Sequence, residues 1–237
     1  MRVVLSVGGS VLAPDLDPDR VEGYADAVTA LVDAGHEVGV VVGGGGVARD
    51  YIGTARELGA NEVELDRVGI DVTRINARLL VAALGDVAAP SPARDYGTAA
   101  EALRRGDVAV MGGVAPGQTT DAVAAALAED VGADLLVFAT SADGVYTADP
   151  SVESDAEKLR TLSAADLVDV VAPMSRDAGA SAPVDLLAAK LIQRAGLRAV
   201  VLDGTDPAAV EGVVLRGEHT GTDVVPDGAV DPAAWDG

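Results

Sequence analysis

The chain has 237 residues, 49% of them apolar, and a formal net charge of −21 at pH 7. Its apolar content argues against disorder, and the scarcity of basic residues argues against nucleic-acid binding, which needs a basic surface. There is no cysteine, so disulfides and thiolate chemistry are excluded.

Short apolar runs alternate with longer amphipathic stretches. Buried strands are predicted at residues 3–7, 38–42, 108–111, 135–139 and 199–202. Helices are predicted from Pro18 until Gly35 stops the pattern, and at residues 47–58, 65–84, 99–105, 120–131 and 183–195. The apolar face of the third helix would carry Val68, Val72, Ile75, Leu79 and Ala83, and residues 213–215 and 222–225 could form a closing hairpin. This order predicts an α/β fold with a largely parallel sheet.

The two ends of the chain and a turn-rich middle zone predict its localisation and its division into domains. The N-terminus leads directly into a strand, and no apolar run reaches the roughly 18 residues of a membrane span, so we expect a cytoplasmic protein. A zone rich in turn residues, 148–181, could separate two lobes of one domain spanning residues 1–226. Residues 227–237 have little periodicity and are expected to form a loose tail.

Two glycine-rich loops follow the first two strands. Gly8-Gly9-Ser10 is either a tight turn or a loop whose N–H groups point at an anion. The run VVVGGGGVARDY at residues 40–51 places four glycines before a helix that carries Arg49. A helix N-terminus favours phosphate, and arginine can add bidentate contacts, although a flexible loop with a solvated arginine is the alternative.

Two further loops follow later strands. In MGGVAPGQTTD, residues 111–121, Thr119, Thr120 and Asp121 open a helix, where they could cap it or hold a second phosphate or a sugar. In the segment from Leu135 to Pro150, a β-turn precedes Tyr146, which could line a nucleotide base. Neither a G-x-x-x-x-G-K-[ST] loop nor a G-x-G-x-x-G fingerprint is present, which excludes those two nucleotide-binding classes.

Together these segments resemble a known family. GGSVL, VVVGGGGVARDYI, DRVGIDVTRINARLL, GGVAPGQTTDAVAA and ADGVYTADP occur in the order and at the intervals seen in archaeal uridylate (UMP) kinases of the amino-acid kinase superfamily. The resemblance covers residues 1–226 and implies a three-layer α/β/α sandwich around a mainly parallel sheet. The N-terminal part would bind the acceptor and the C-terminal part ATP. It further implies phosphoryl transfer from ATP–Mg²⁺ to UMP in pyrimidine nucleotide synthesis, by a homohexamer.

The resemblance also implies roles for individual residues. The ATP phosphates would contact Gly9, Ser10, Gly45 and Arg49, and the nucleoside part of ATP would contact Thr140, Tyr146 and Asp149. UMP would contact Gly44, Asp66, Val114, Ala115, Pro116, Gly117, Gln118, Thr119 and Thr120. The catalytic residues would be Arg49, Asp121 and Asp185, with no resident metal site in the protein. Asp185 could equally be a helix-start residue.

The chain lacks two lysines that occur in members of the family. Bacterial relatives have a lysine where this chain has Ser6, and a second family lysine corresponds to Leu186 or Leu187, one turn before Lys190. Arg49, Mg²⁺ and backbone N–H groups are therefore the candidates for positive charge. Gly46 replaces a polar residue, which we expect to be tolerated because the implied contacts come from the backbone.

Two readings of the charge and two other functions stay open. The acidic surface resembles that of proteins from salt-accumulating archaea, since salt screens the self-repulsion, but it could instead bind a basic partner. The chain could also be another kinase of the superfamily, acting on a carboxylate or small phosphate, or a nucleotide-binding regulatory or storage protein that has lost catalysis.

Overall fold

The computed structural model describes residues 1–174 and 183–229. The strands are β1 (Arg2–Val7), β2 (Glu37–Val42), β3 (Ala109–Met111), β4 (Leu135–Thr140), β5 (Val145–Tyr146), β6 (Lys158–Leu159), β7 (Thr161–Ser163), β8 (Ala199–Asp203) and β9 (Thr222–Val225). The α-helices are α1 (Gly9–Leu12), α2 (Pro18–Asp33), α3 (Gly45–Glu57), α4 (Glu62–Leu84), α5 (Tyr96–Arg105), α6 (Thr120–Val131), α7 (Ala164–Met174), α8 (Leu186–Ala195) and α9 (Ala208–Arg216).

Among the described residues, seven strands form one sheet in the order β3-β2-β1-β4-β8-β9-β7. The five strands predicted from apolar runs are its first five, and each pairs in parallel with its neighbour. At the far edge β9 runs antiparallel to β8, and β7 runs parallel to β9. The predicted mainly parallel sheet is therefore confirmed.

Each face of this sheet carries its own apolar core. Successive side chains of a strand point to opposite faces, so Val4 joins the core beneath α5–α8, while Val3 and Leu5 join the core beneath α2, α4 and α9. Helices on both faces of a buried sheet form three layers. The predicted α/β/α sandwich is confirmed.

Local signals explain where several helices begin and end. Asp17 accepts a hydrogen bond from the Asp19 amide and starts α2, and Asn61 forms a capping box with Glu64 at the start of α4. α5 and α6 end at Gly106 and Gly132, which have left-handed backbone angles that glycine adopts readily.

The predicted apolar face of α4 is wrong in its C-terminal half. Ile75 and Leu79 are exposed, with fractional exposures of 57% and 39%, whereas the buried positions are Asn76, Ala77 and Leu80. Two overlapping apolar stripes share this helix, and the periodicity could not tell which one the sheet would cover.

The predicted closing hairpin is also wrong. Residues 213–215 lie inside α9, which packs on α2, and only Thr222–Val225 is a strand. β-Branched residues fit both a buried helix and a buried strand, so a short run of them does not decide between the two. The predicted turn-rich zone, 148–181, contains β6, β7 and α7, and its residues 175–181 lie outside the described residues, as do residues 230–237 of the predicted tail.

Candidate active site

The site lies where the chain reverses its direction across the sheet. From β1 the sheet extends through β2 on one side and through β4 on the other. The loops that follow these three strands, together with the start of α6, surround a cavity of about 390 Å³. We call this space the phosphate-side cavity; it is lined by Gly8, Gly9, Ser10, Val11, Gly43, Gly44, Gly45, Arg49, Thr119, Thr120, Asp121, Thr140, Ser141, Ala142 and Pro183. A crevice at the carboxyl ends of strands, at such a switch point, is where open α/β sheets bind ligands.

The two glycine loops are glycine-rich because they press against each other. A Cβ on Gly9 would lie 2.2 Å from the Gly45 nitrogen, and one on Gly43 would lie 2.6 Å from the Gly9 nitrogen. Gly45 also has a φ of +65°, which strains any other residue. Contact between the two loops therefore requires these glycines in addition to any approach of a ligand.

The fourth glycine of the run differs from the other three. A Cβ on Gly46 would meet only the Arg49 guanidinium, at 3.8 Å. The structure thus leaves room for a side chain at Gly46.

Asn76 anchors the second glycine loop and was missed by the sequence analysis. This buried α4 side chain donates from Nδ2 to the Gly43 carbonyl at 2.9 Å and to the Gly44 carbonyl at 3.3 Å. Asn76 lies outside the stripe predicted to be buried, so the sequence offered no signal for it; once buried, its amide needs such partners.

Arg49 is the one cationic side chain among the described residues that line the phosphate-side cavity. It lies in the second turn of α3, and its guanidinium donates to the Ser10 hydroxyl at 3.3 Å. Lys190 is exposed on α8 and does not line this cavity. The geometry therefore brings together Arg49 and Ser10 from the two predicted phosphate loops.

Buried Ser6 forms a hydrogen-bonded pair with Asp121, which lines the phosphate-side cavity. Ser6 lies on β1, and its hydroxyl donates to the Asp121 carboxylate at 2.8 Å. Burial raises the pKa of Asp121 to about 7, and the hydrogen bond from Ser6 opposes that rise. Ser6, noted in the sequence only as the position of a missing lysine, is thus the polar partner of a predicted catalytic carboxylate.

Asp185 is a helix-start residue, one of the two roles considered for it. Its carboxylate caps α8 by accepting from the amides of Leu187 at 2.7 Å and Ala188 at 3.1 Å. Its other oxygen accepts from the hydroxyl of Thr119, which is itself the N-cap of α6. Asp185 therefore joins the start of α8 to the start of α6.

The predicted acceptor residues meet along α4. The Asp66 carboxylate accepts from the Gly117 amide at 2.8 Å, and the Thr73 hydroxyl accepts from the Gly113 amide at 2.7 Å. These two bonds attach the loop at residues 114–120 to α4, one at Gly117 within the loop and one at Gly113, the residue before it. Thr73 was not predicted, although it follows Asp66 by two helical turns on the same face.

A second cavity, of about 640 Å³, adjoins the first and shares Ser141, Ala142 and Pro183 with it. We call it the Tyr146 cavity; its other lining residues are Asp143, Gly144, Tyr146, Ala148, Asp149, Pro150, Ser151, Met174 and Asp203. Of the three residues predicted to hold the nucleoside of ATP, Tyr146 and Asp149 lie here. Thr140 lines the phosphate-side cavity instead.

Side-chain hydrogen bonds shape the Tyr146 cavity. The Tyr146 hydroxyl and the Lys158 ammonium each donate to the Asp143 carboxylate, at 3.0 Å. The bond from Lys158 holds the pKa of Asp143 below its usual value. The Asp149 carboxylate accepts from the amide and hydroxyl of Ser151, which lowers its pKa as well.

Among the described residues, no helix combines the length and apolarity needed to cross a bilayer. The same residues contain no group of three or more histidine, aspartate or glutamate side chains arranged to hold a metal ion.

Comparison with known proteins gives consistent matches. The amino acid kinase family matches residues 1–203. The uridylate kinase of Halorubrum lacusprofundi is 70% identical over 237 residues, covering 100% of this chain and 98% of that protein. The crystal structure of uridylate kinase from Archaeoglobus fulgidus has a TM-score of 0.86 and 42% identity, covering 95% of this chain and 100% of that one. That of UMP kinase from Bacillus anthracis has a TM-score of 0.79 and 27% identity, covering 97% of each chain. With this fold, these loops and this similarity over its whole length, the chain belongs to the amino acid kinase family and, within it, to the uridylate kinases.

Proposed function

We propose that this chain transfers the γ-phosphoryl group of ATP to UMP, giving UDP and ADP for pyrimidine nucleotide synthesis. The observation that carries the proposal is the phosphate-side cavity, which three loops and a helix N-terminus surround at the switch point of the sheet. Phosphoryl transfer needs two phosphates held in line and charge stabilised on the oxygens of the moving group. It does not require a side-chain nucleophile.

The donor side of the site consists of the two glycine loops and the Tyr146 cavity. Gly9, Ser10, Gly45 and Arg49 would contact the ATP phosphates, and Tyr146 and Asp149 the nucleoside. Because the two cavities adjoin, one ligand could place its base in the larger and its phosphates in the smaller. Thr140, at the end of β4, would then contact the phosphate chain rather than the nucleoside.

The acceptor side consists of α4 and the loop before α6. Asp66 would accept hydrogen bonds from the ribose of UMP, in place of the bond it now accepts from Gly117. Gly44 and the loop at residues 114–120 would enclose the nucleotide. Thr119, Thr120 and Asp121 at the start of α6 line the phosphate-side cavity, and a helix N-terminus favours a phosphate.

In this proposal, the two predicted catalytic carboxylates position other groups of the site and do not themselves react. Asp185 holds Thr119, and Asp121 fixes the first turn of α6 against β1 through Ser6. Arg49 is the side chain that would stabilise charge on the transferring phosphoryl group. Charge-assisted, bidentate bonds from arginine suit phosphate oxygens.

Mg²⁺ fits this site as a companion of ATP. Mg²⁺ keeps several waters and binds proteins through substrate phosphates and one or two carboxylates, so the absence of a larger ligand cluster among the described residues does not conflict with it. The glycine loops that hold the phosphates would hold the ion with them. When bound, it supplies charge neutralisation on the phosphate oxygens.

We further propose that copies of this chain associate, as expected for a homohexamer. The packed pair α3 and α4 exposes Tyr51, Val63, Ile75 and Leu79, with fractional exposures of 60%, 47%, 57% and 39%. Ile75 and Leu79 lie one helical turn apart, and neighbouring exposed apolar residues mark interaction surfaces. Leu79→Asp should lower the mass measured by light scattering, whereas Val152→Asp, which changes an exposed apolar residue elsewhere, should not.

The charge of −21 supports a protein adapted to high salt. Salt screens repulsion between exposed carboxylates, so removing KCl should lower the melting temperature. Thermal melts without any dependence on KCl would contradict this adaptation.

A coupled assay tests the proposed function. ADP release would be followed at high KCl with UMP, CMP, acetylglutamate, carbamate and isopentenyl phosphate as acceptors. We expect UMP to be turned over well above the others. Turnover of another acceptor instead, or nucleotide binding without ADP release, would overturn the proposal.

A further inference from the structure

The two-stranded ribbon beside the Tyr146 cavity carries one of the two lysines of the chain, Lys158. β5 and β6 pair in antiparallel, and Tyr146 lies directly opposite Lys158 in that pairing. Side chains directly opposite each other in an antiparallel pair lie close together on one face. Tyr146 lines the cavity and Lys158 does not, so any influence of this lysine on a ligand has to pass through a neighbour.

Asp143 connects the two side chains. One of its carboxylate oxygens accepts from the Tyr146 hydroxyl and the other from the Lys158 ammonium, each at 3.0 Å. The bond from Lys158 is the largest cause of the lowered pKa of Asp143. The carboxylate is therefore ionised at neutral pH, and an ionised carboxylate is purely an acceptor, which suits the phenol as its donor.

The stem of Lys158 is fixed as well as its ammonium. A Cβ on Gly144 would lie 2.6 Å from Lys158 Cε and 2.7 Å from the Thr222 hydroxyl oxygen, so the stem lies against the Gly144 backbone. The buried Thr222 hydroxyl accepts from the Val145 amide at 2.8 Å and donates to the Leu159 carbonyl at 2.5 Å. Thr222 on β9 thereby attaches both strands of the ribbon to the main sheet.

The pair of Lys158 with Asp143 differs from the ion pairs that arginines make at the surface. The Lys158 side chain is 23% exposed, whereas those of Arg56, Arg105 and Arg194 are 56%, 57% and 64% exposed in their ion pairs. Exposed pairs contribute little, because salt screens them and two long side chains must be ordered. A lysine whose stem is already packed loses less freedom when it pairs, so it can hold Asp143 in place.

We infer that Lys158 is a positioning residue of the donor-nucleotide site: it holds Asp143, and Asp143 holds the Tyr146 ring at the cavity that receives the nucleoside. The inference rests on the proposed function, in which Tyr146 contacts the nucleoside of ATP. It predicts that Lys158 affects the donor nucleotide alone, since the proposed acceptor site is built by α4 and the loop before α6.

NMR of the two lysines tests the inference. Reductive methylation with isotope-labelled formaldehyde labels Lys158, Lys190 and the N-terminal amine, and methylated lysine keeps its charge. Lys158→Arg and Lys190→Arg each remove one signal and so assign both. At a fixed high KCl concentration, a non-hydrolysable ATP analogue should shift the Lys158 signal and UMP alone should not. The signal of Lys190, which is exposed on α8, should stay in place with either.

Calorimetry on the same samples separates this inference from the proposed function. If the analogue binds but the Lys158 signal does not move, the inference is overturned while the donor site stands. If the analogue does not bind at all, the proposed donor site fails and the inference fails with it.

Lys158→Met confines the expected effect to ATP. Methionine keeps the stem that packs on Gly144 but cannot donate to Asp143, so the melting temperature should stay close to the parent's. The KM for ATP should rise about threefold, as for the loss of one hydrogen bond, while kcat and the KM for UMP stay unchanged. Lys158→Arg keeps a cationic donor and should keep the parent's KM, and Lys190→Met is the matched control that should change neither constant.

A double-mutant cycle with Tyr146→Phe tests the route of the effect. If Lys158 acts through the phenol, then Lys158→Met should change the KM for ATP by less than about 1.5-fold once the hydroxyl is gone. An undiminished rise in that background would overturn the inference. So would a fall in kcat at an unchanged KM, or a rise in KM that Lys158→Arg shares.

Discussion

The phosphate-side cavity and the Tyr146 cavity adjoin, yet they are built by different means. Backbone-to-backbone approach of glycines shapes the first, with a Cβ on Gly9 only 2.2 Å from the Gly45 nitrogen. Hydrogen bonds that exposed Asp143 accepts from half-buried Tyr146 and Lys158 shape the second. A backbone-built site is rigid and intolerant of added atoms, whereas a side-chain-built site can adjust. Substitutions should therefore have larger effects in the first cavity than in the second.

Gly9→Ala should have the largest effect. The added methyl forces the two glycine loops apart, since its contacts are backbone atoms that cannot rotate away. Overpacking of this kind costs about 1–3 kcal/mol of stability, and displaced phosphate contacts should lower kcat/KM by about 100-fold or more. Steady-state kinetics and thermal melts measure both.

Gly46→Ala is the matched control, because the same methyl group would there enter open space near Arg49. Its kcat/KM should stay within about twofold of the parent, and its stability should not fall, since alanine is favoured over glycine in a helix by roughly 0.5–1 kcal/mol. Equal losses in the two variants would show that the contact between the loops is unimportant.

Arg49→Ala should have the second-largest effect on activity. It removes the one cation among the described residues lining the phosphate-side cavity. Loss of a preorganised donor typically lowers kcat by about 100-fold or more. As a control, Arg56→Ala, which removes an arginine of the same helix that pairs at the surface with Glu62, should leave kcat unchanged. A near-normal kcat for Arg49→Ala would show that Arg49 does not stabilise the transferring phosphoryl group.

Asp121→Asn should change the pH dependence of stability. Burial raises the folded-state pKa of Asp121 to about 7, above its value in the unfolded chain. The folded protein therefore binds an extra proton between these pKa values, and stability falls as pH rises through that window. The variant's melting temperature should rise relative to the parent's from pH 5 to pH 8.

Measuring the difference between variant and parent cancels the many surface carboxylates that titrate in both. The asparagine oxygen can still accept from the Ser6 hydroxyl, so the comparison isolates the charge. A difference that is flat with pH would show that Asp121 is not destabilised by burial.

Tyr146→Phe should have the smallest effect. It removes an exposed hydrogen bond to Asp143, worth about 0.5–1.5 kcal/mol, while the aromatic ring stays. The KM for ATP should rise by less than about fivefold. Tyr146→Ala should raise it further because the ring is lost, and a Tyr146→Phe effect as large as that of Gly9→Ala would remove the contrast between the cavities.

Much of this protein follows from local patterns in its sequence. Five apolar runs of four or five residues predict buried parallel strands, because such a strand is covered on both faces, whereas the three-residue run 213–215 was too short to distinguish a strand from a helix. Glycine runs after strands predict the phosphate-side loops, and the order of the segments predicts the family. These features need only neighbouring residues, so no knowledge of the packed structure is required.

Tertiary structure decided the remaining features, because they depend on contacts between distant segments. α4 could bury either of two stripes, and only packing on the sheet selected Asn76 and exposed Ile75. Ser6 donates a hydrogen bond to Asp121, which is 115 positions away in the sequence. Arg94 lines the same cavity as Arg74 and Arg78 because β3 and α5 hold the segment that carries it. The sequence by itself determined the strands, the glycine loops and the family; the fold decided which polar side chains face one another, since that is set by three-dimensional packing rather than by spacing along the chain.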